Sequence, residues 1–268
     1  MFNSILNPKE ITLKETYFAG FKIYKENFKK IVIITILLTF PVDLISTMLN
    51  IFSVNIGNSL DMDMISKSPE IIYQNPLILE SIMKVIIYFL IFIVVQVIFL
   101  PFGIMAIAYL SKSYVYGRSV NYQEAVVFSF SRSFQMILVS IINALCIGVC
   151  SLFIIPGIYI SILWYFYIYS VSLAGKNHIN ALNYSMYLTR RRWLKTFIFV
   201  IVTFSISYLA NILLVSVVDA FYFLIPNDFL YTIISRVLIS IVSGIFYCST
   251  TVYFLNREIV VKAETIIW

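Results

Sequence analysis

Six stretches of this chain, near residues 31–51, 82–110, 134–154, 158–175, 195–218 and 230–256, are long and almost wholly apolar. A helix needs about 20 residues to cross the hydrocarbon layer of a bilayer, and each stretch is close to or above that. At lipid depth the backbone has no water to bond to, so each stretch must satisfy its own hydrogen bonds as a helix. Composition removes the soluble alternative. Of 268 residues, 61% are hydrophobic and 12% charged, about half the charge a soluble domain carries. The first thirty residues hold six lysines and no continuous apolar run before Ile31, so no cleavable signal peptide is expected.

Orientation follows from the basic residues, which are retained on the cytoplasmic side of a membrane. All but Lys67, Lys84 and Arg236 of the 19 lysines and arginines fall in 1–30, 111–133, 176–195 and 257–268. Both termini are therefore expected in the cytoplasm, with 52–81 an extracytoplasmic loop. Pro156 and Gly157 fall between the third and fourth stretches, where a residue without an N–H and one without a Cβ suit a tight helix hairpin. Pro101 and Gly103 interrupt the second stretch and read as a kink, more often a packing feature than a gate.

A polar segment with helical periodicity stands before the first, third and fifth stretches. Tyr17, Phe21, Tyr24 and Phe28 mark one face of the first of these segments, which spans about 9–30. Gln123, Val127, Phe130 and Phe134 mark the second, and Leu182, Met186, Thr189 and Trp193 the third. Each set has the spacing i, i+4, i+7, i+11. An apolar stripe with basic residues on other faces suits a helix lying in the membrane interface. The expected fold is thus a single all-α polytopic membrane domain. It has six transmembrane helices as three hairpins, each preceded by a cytoplasmic interfacial amphipathic helix. Lys29, Lys30, Arg190, Arg191, Arg192 and Lys195 are the candidate contacts to anionic head groups, against the plainer reading that these cations only set topology.

The stretch from Ile154 to Tyr159 (apolar-apolar-Pro-Gly-apolar-Tyr) leads into an aromatic-rich span. Asn180-Ala181-Leu182-x-x-Ser185 follows, and then Arg192-Trp193 opens the next span. This pattern resembles the membrane domain joined to some bacterial glycerophosphodiester phosphodiesterases, and its stand-alone, largely uncharacterised relatives. The sharp motif covers about 150–195, the general layout about 10–256. The resemblance implies a bacterial plasma membrane protein of six or more spans. It carries over no catalytic residue, because the 268 residues hold no phosphodiesterase domain. Around the third interfacial helix the relatives often show an acidic residue and Lys-Gly, whereas here stand Gly175-Lys176-Asn177 and Thr189-Arg190-Arg191.

Few residues carry chemistry. Asp43 sits within the first stretch, about 18 Å from its inner start, and Arg236 about 9 Å into the sixth from outside. An ion pair tying first span to last is the favoured reading of the two. A polar cavity or ion path joined by Lys84, Gln96 or Asn211 is the other. Gln96, Asn143 and Asn211 read as interhelical glue, and Tyr159, Trp164, Tyr165, Phe166, Tyr167 and Tyr169 as packing or as an aromatic wall for a lipophilic ligand. Cys146, Cys150 and Cys248 with the single His178 lack the parts of a zinc site, no His-based triad can be assembled, and no glycine-rich phosphate loop is present. No cofactor and no metal is expected. Asp61 and Asp63 form at best a weak cation site.

The expected function is a non-catalytic protein that organises or senses the cytoplasmic membrane, or is accessory to a partner. The alternative is a permease, exporter component or immunity-type protein handling a lipophilic or peptide molecule. The expected partners are the lipid bilayer with its anionic phospholipids, and a protein partner or a second copy of the chain. Nothing in the pattern points to nucleic acid.

Overall fold

The computed structural model describes residues 5–58, 76–222 and 228–266, and among them every regular element is a helix. In chain order these are α1 (Leu13–Glu26), α2 (Phe28–Ile34), a π-helical turn (Thr35–Thr39), α3 (Phe40–Asn58), α4 (Pro76–Val115) and α5 (Tyr122–Ser131). They continue with α6 (Ser133–Ser151), α7 (Ile154–Leu163), α8 (Tyr167–Ser172), α9 (Ile179–Arg190), α10 (Trp193–Ala220) and α11 (Asp228–Ile266). Six helical stretches are long and apolar enough to cross a membrane: Phe28–Ile56, Pro76–Val115, Ser133–Ser151, Ile154–Ser172, Trp193–Ala220 and Leu230–Glu264. The chain is of the multi-pass membrane type.

Helix boundaries differ from expectation where local chemistry intervenes. The first two spans run deeper into the 52–81 segment, to Asn58 and from Pro76; its middle part, with Asp61, Asp63 and Lys67, lies outside the described residues. The turn between the third and fourth spans is at Leu152-Phe153, not at Pro156-Gly157. Those two residues occupy the first turn of α7, where a proline's missing donor has no intrahelical partner to lose. Gly157 acts by close approach instead, since a Cβ there would lie 2.9 Å from Ser151 Cα. Pro101 sits inside a continuous α4. Gly103 lets α4 press on the π turn, because a Cβ would meet Thr39 Cγ2 at 2.2 Å. That π turn stands just before Pro41, which offers no N–H to the preceding turn.

Three bends organise the molecule. α1 starts with a capping box, in which Thr12 and Glu15 satisfy each other's backbone N–H groups. It ends at Asn27 (φ −110°, ψ 18°), and α2 begins on the next residue. α5 ends at Arg132 (φ −110°, ψ 15°) directly before α6. α10 starts directly after Arg192 (φ −139°, ψ 40°). Counting from each bend, the positions seven and three residues before it are buried in all three units: Gly20 and Tyr24, Ala125 and Ser129, Ser185 and Thr189. The positions four and seven residues after it are buried too: Ile31 and Ile34, Met136 and Val139, Thr196 and Phe199. The same burial pattern therefore recurs around each of the three bends, where a short helix meets a long one.

The expected stripes only partly match this register. The first is mixed, with Tyr24 buried but Phe21 and Phe28 exposed. Gln123, Val127, Phe130 and Phe134 are all exposed, while Leu182 and Thr189 are buried. Phe134 stands two residues past its bend, whereas Phe28 and Trp193 stand one past theirs, so the second stripe is out of phase. Small residues mark the packed face: Gly20, Ala125 and Ser185.

Each short helix packs against a segment of a long span. α5 lies on α4, with Phe128 stacked on Tyr109 at 4.0 Å. α9 lies on α8. α1 lies on α11, with Gly20 against Ser249 and the Tyr24 hydroxyl donating to the Ile241 carbonyl at 3.0 Å. The first helix thereby closes a ring with the last. The buried core is gathered at this bend end, in Phe102–Leu110 of α4, Phe166–Leu173 and Cys248–Leu255 of α11. Toward the other end the helices expose apolar surface, such as Leu77, Leu152, Ile155, Tyr208 and Leu213, the sign of a lipid-facing wall.

Candidate functional site

The resemblance motif proves to be a packing cluster. The fourth span breaks at Trp164–Phe166, freeing backbone groups that must find partners away from water. The Ser185 hydroxyl supplies both: it accepts the Phe166 N–H at 3.0 Å and donates to the Leu163 carbonyl at 2.9 Å. Tyr159 stacks on Trp193 with ring centroids 5.6 Å apart, and the Trp193 indole N–H donates to the Tyr159 carbonyl at 3.3 Å. Gly157, Tyr159, Ser185 and Trp193 thus fix α7 against α6, α9 and α10.

The intramembrane polar level is built differently from the expected ion pair. Asp43 does reach α11, but it accepts a hydrogen bond from Ser240. Among the described residues no ion pair within 4.0 Å joins it to Arg236, which stands one turn away and acts at longer range. A hydroxyl satisfies the carboxylate without desolvating a second charge. Lys84 pairs with Glu80 on its own helix at 2.7 Å and does not join this level. Gln96 donates to Ser46 at 2.8 Å, tying α4 to α3. Cys248 accepts from Ser111 at 3.4 Å, and Cys146 and Cys150 are free thiols on α6. His178 starts α9 at the surface with a positive φ of 49°.

The expected head-group cations divide into two sets. Lys30 donates to the Val120 carbonyl at 2.8 Å, as Arg132, which was not among the expected contacts, does to the Val171 carbonyl at 2.8 Å, so each holds a neighbouring helix end or loop. Arg192 bridges Glu10 and Glu264. Lys195 also binds Glu10, at 2.5 Å, and Arg257 binds it at 3.0 Å while donating to the Leu188 carbonyl at 3.0 Å. Burial alone would raise the Glu10 carboxyl, but the Lys195 hydrogen bond with the Arg192, Lys195 and Arg257 charges outweighs it and holds the group below its ordinary 4.5. Lys29, Arg190 and Arg191 remain exposed. The network was hidden in the sequence because its members come from the chain's two ends and its middle; the one available signal was a glutamate at position 10 among lysines.

Two cavities adjoin these groups. One, of about 370 Å³, is lined by Glu10, Leu13, Lys195, Ile198, Tyr253 and Arg257. The other, of about 320 Å³, lies within the span region between α4, α8, α10 and α11, with Tyr165, Tyr169, Thr203, Ser207, Tyr247 and Thr250 on its wall. Tyr165 and Tyr169 belong to the aromatic wall expected of the fourth span. Beside it Phe199 stacks on Tyr253 at 4.1 Å, and Tyr17 shares a hydrogen bond with Thr203 at 2.6 Å. No known family, no curated protein and no solved structure matches the chain.

Proposed function

We propose that this chain is a non-catalytic protein of the cell membrane that organises or senses the bilayer at its bend end. In this reading the long helices form three hairpins. The bend end faces the cytoplasm with both termini, and α1, α5 and α9 sit at the inner interface. The observation that carries the reading is the partition of the cations: Lys29, Arg190 and Arg191 stay exposed beside exposed apolar side chains such as Phe28 and Leu194. An apolar anchor flanked by cations is the chemistry that anionic leaflets attract, at about 1 kcal/mol per charge. Kinship with the phosphodiesterase-type membrane domain belongs to the same proposal, supported by Gly157, Tyr159, Ser185 and Trp193 acting as one cluster. Replacing Lys29, Arg190 and Arg191 together by glutamine is expected to reduce the preference for anionic over zwitterionic lipid by at least about tenfold, measured by mass spectrometry of co-purified lipid. An unchanged lipid profile would remove the reading. Reporters fused near Lys67 and near Arg191 are expected in opposite compartments.

The 320 Å³ cavity favours a second reading, the handling of a lipophilic molecule. Its wall of tyrosine rings with Thr203, Ser207 and Thr250 hydroxyls suits an apolar body with one hydrogen-bonding group. Ser207→Trp is expected to exclude such a molecule from the purified protein, as read by native mass spectrometry; equal occupancy in the variant would count against it.

A further inference from the structure

The 320 Å³ cavity between α4, α8, α10 and α11 carries hydroxyls that the fold leaves unused. Thr203 is occupied: it shares a hydrogen bond with Tyr17 at 2.6 Å and donates to the Phe199 carbonyl at 2.7 Å. Thr250 donates to the Phe246 carbonyl at 2.9 Å, and its oxygen is the group that the Tyr165 and Tyr169 hydroxyls approach. Tyr247 on α11 and Ser207 on α10 are different. Neither hydroxyl has a hydrogen-bond partner among the described residues, and neither oxygen is sealed inside protein. At span depth no water is at hand to accept an O–H, so an idle donor costs more there than at the surface. The rest of the wall narrows what can take these donors. No described lining residue carries a charge, so an ionised head group would lose its hydration without gaining a counter-ion. Asp43 also acts on Tyr247 electrostatically and would repel an anion. The rings of Tyr165, Tyr169, Phe204, Phe246 and Tyr247 line the cavity and offer faces and edges for stacking. Phe204 is in addition 71% exposed on α10, which puts the mouth at the lipid-facing wall.

We infer that this cavity binds a neutral lipid through a carbonyl oxygen of its head, which accepts hydrogen bonds from Tyr247 and Ser207. This rests on the proposal that the cavity takes a lipophilic molecule, and adds the chemistry of the head. Two kinds of bilayer molecule carry such a carbonyl, a quinone ring and the esters of a diacylglycerol. The five rings of the wall favour the planar quinone, which can stack against them while its tail leaves past Phe204 into the bilayer.

The experiment uses the full chain in detergent, titrated with decylubiquinone, dioleoylglycerol or dodecylbenzene and read by native mass spectrometry. Dodecylbenzene has a ring and a tail but no carbonyl. Decylubiquinone is expected to bind at least about tenfold more tightly than dodecylbenzene, because two hydrogen bonds separate them. Tyr247→Phe keeps the ring and Ser207→Ala removes a single oxygen; each is expected to take away most of that difference and leave dodecylbenzene binding unchanged. Should Tyr247→Phe fail to fold, Ser207→Ala carries the test, since its side chain is only half-buried. The Lys29, Arg190 and Arg191 triple variant is expected to bind all three probes as the parent does, because no charge takes part. A preference for dioleoylglycerol that Ser207→Ala abolishes supports the site with an ester as its source. A carbonyl preference that Tyr247→Phe and Ser207→Ala leave intact overturns the inference. Equal binding of the three probes, lost only in Ser207→Trp, also overturns it but leaves the lipophilic cavity standing, whereas binding of none removes both.

Discussion

Single side chains decide where this chain bends and what its polar groups do. Ser185 closes two backbone groups at the break between α7 and α8, so Ser185→Ala is expected to lower stability by about 1–3 kcal/mol, measured by thermal unfolding in detergent. Asp43 is partnered by Ser240. A double-mutant cycle between Asp43→Ala and Ser240→Ala should therefore show coupling of about 0.5–3 kcal/mol, and the cycle with Arg236→Ala less. Equal or larger coupling to Arg236 would restore the ion pair expected from sequence. Glu10 sets a pH dependence with a definite sign. Its folded-state carboxyl is held below 4.5, so its ion pairs contribute fully above the unfolded value and are lost as pH falls through the folded one. Melting temperature should drop below about pH 4.5 in the parent, and Glu10→Gln should flatten that part of the profile.

At the scale of helices, close crossings hold the elements together. A Cβ on Gly20 would come within 2.6 Å of Ser249 Cα, and one on Gly103 within 2.2 Å of Thr39 Cγ2. Gly20→Val should separate α1 from α11 and cost about 1–3 kcal/mol or more, with detergent size-exclusion and proteolysis of the N-terminal segment as the measures. Apolar runs made the six spans legible, because length and hydropathy are local properties of the sequence. The short helices before the first, third and fifth spans were legible in outline, since polar segments preceding spans stand out. Their packed face was not, because it is carried by Gly20, Ala125 and Ser185, which no hydrophobicity pattern marks. The charge network was illegible for another reason: nothing local links Glu10 to Arg192 or Glu264, and only the closing of the ring brings them together.

Over the whole molecule a short helix packs on a long-span segment three times: α5 on α4, α9 on α8 and α1 on α11. The chain cut within the loop between Gly117 and Asn121 is accordingly expected to reassemble when residues 1–117 and 118–268 are co-expressed, and the halves should co-purify. Failure of that assembly, with both halves inserted, would show that the loop does more than connect.

The docking of α1 on α11 also sets an order of events during synthesis. Gly20 leaves the ribosome more than two hundred residues ahead of Ser249, and at ordinary translation speeds that delay is on the order of ten to fifty seconds. Throughout it the small-residue face of α1 has no native surface to rest on, so whatever shelters a nascent membrane helix must shelter this one until the last helix has been made.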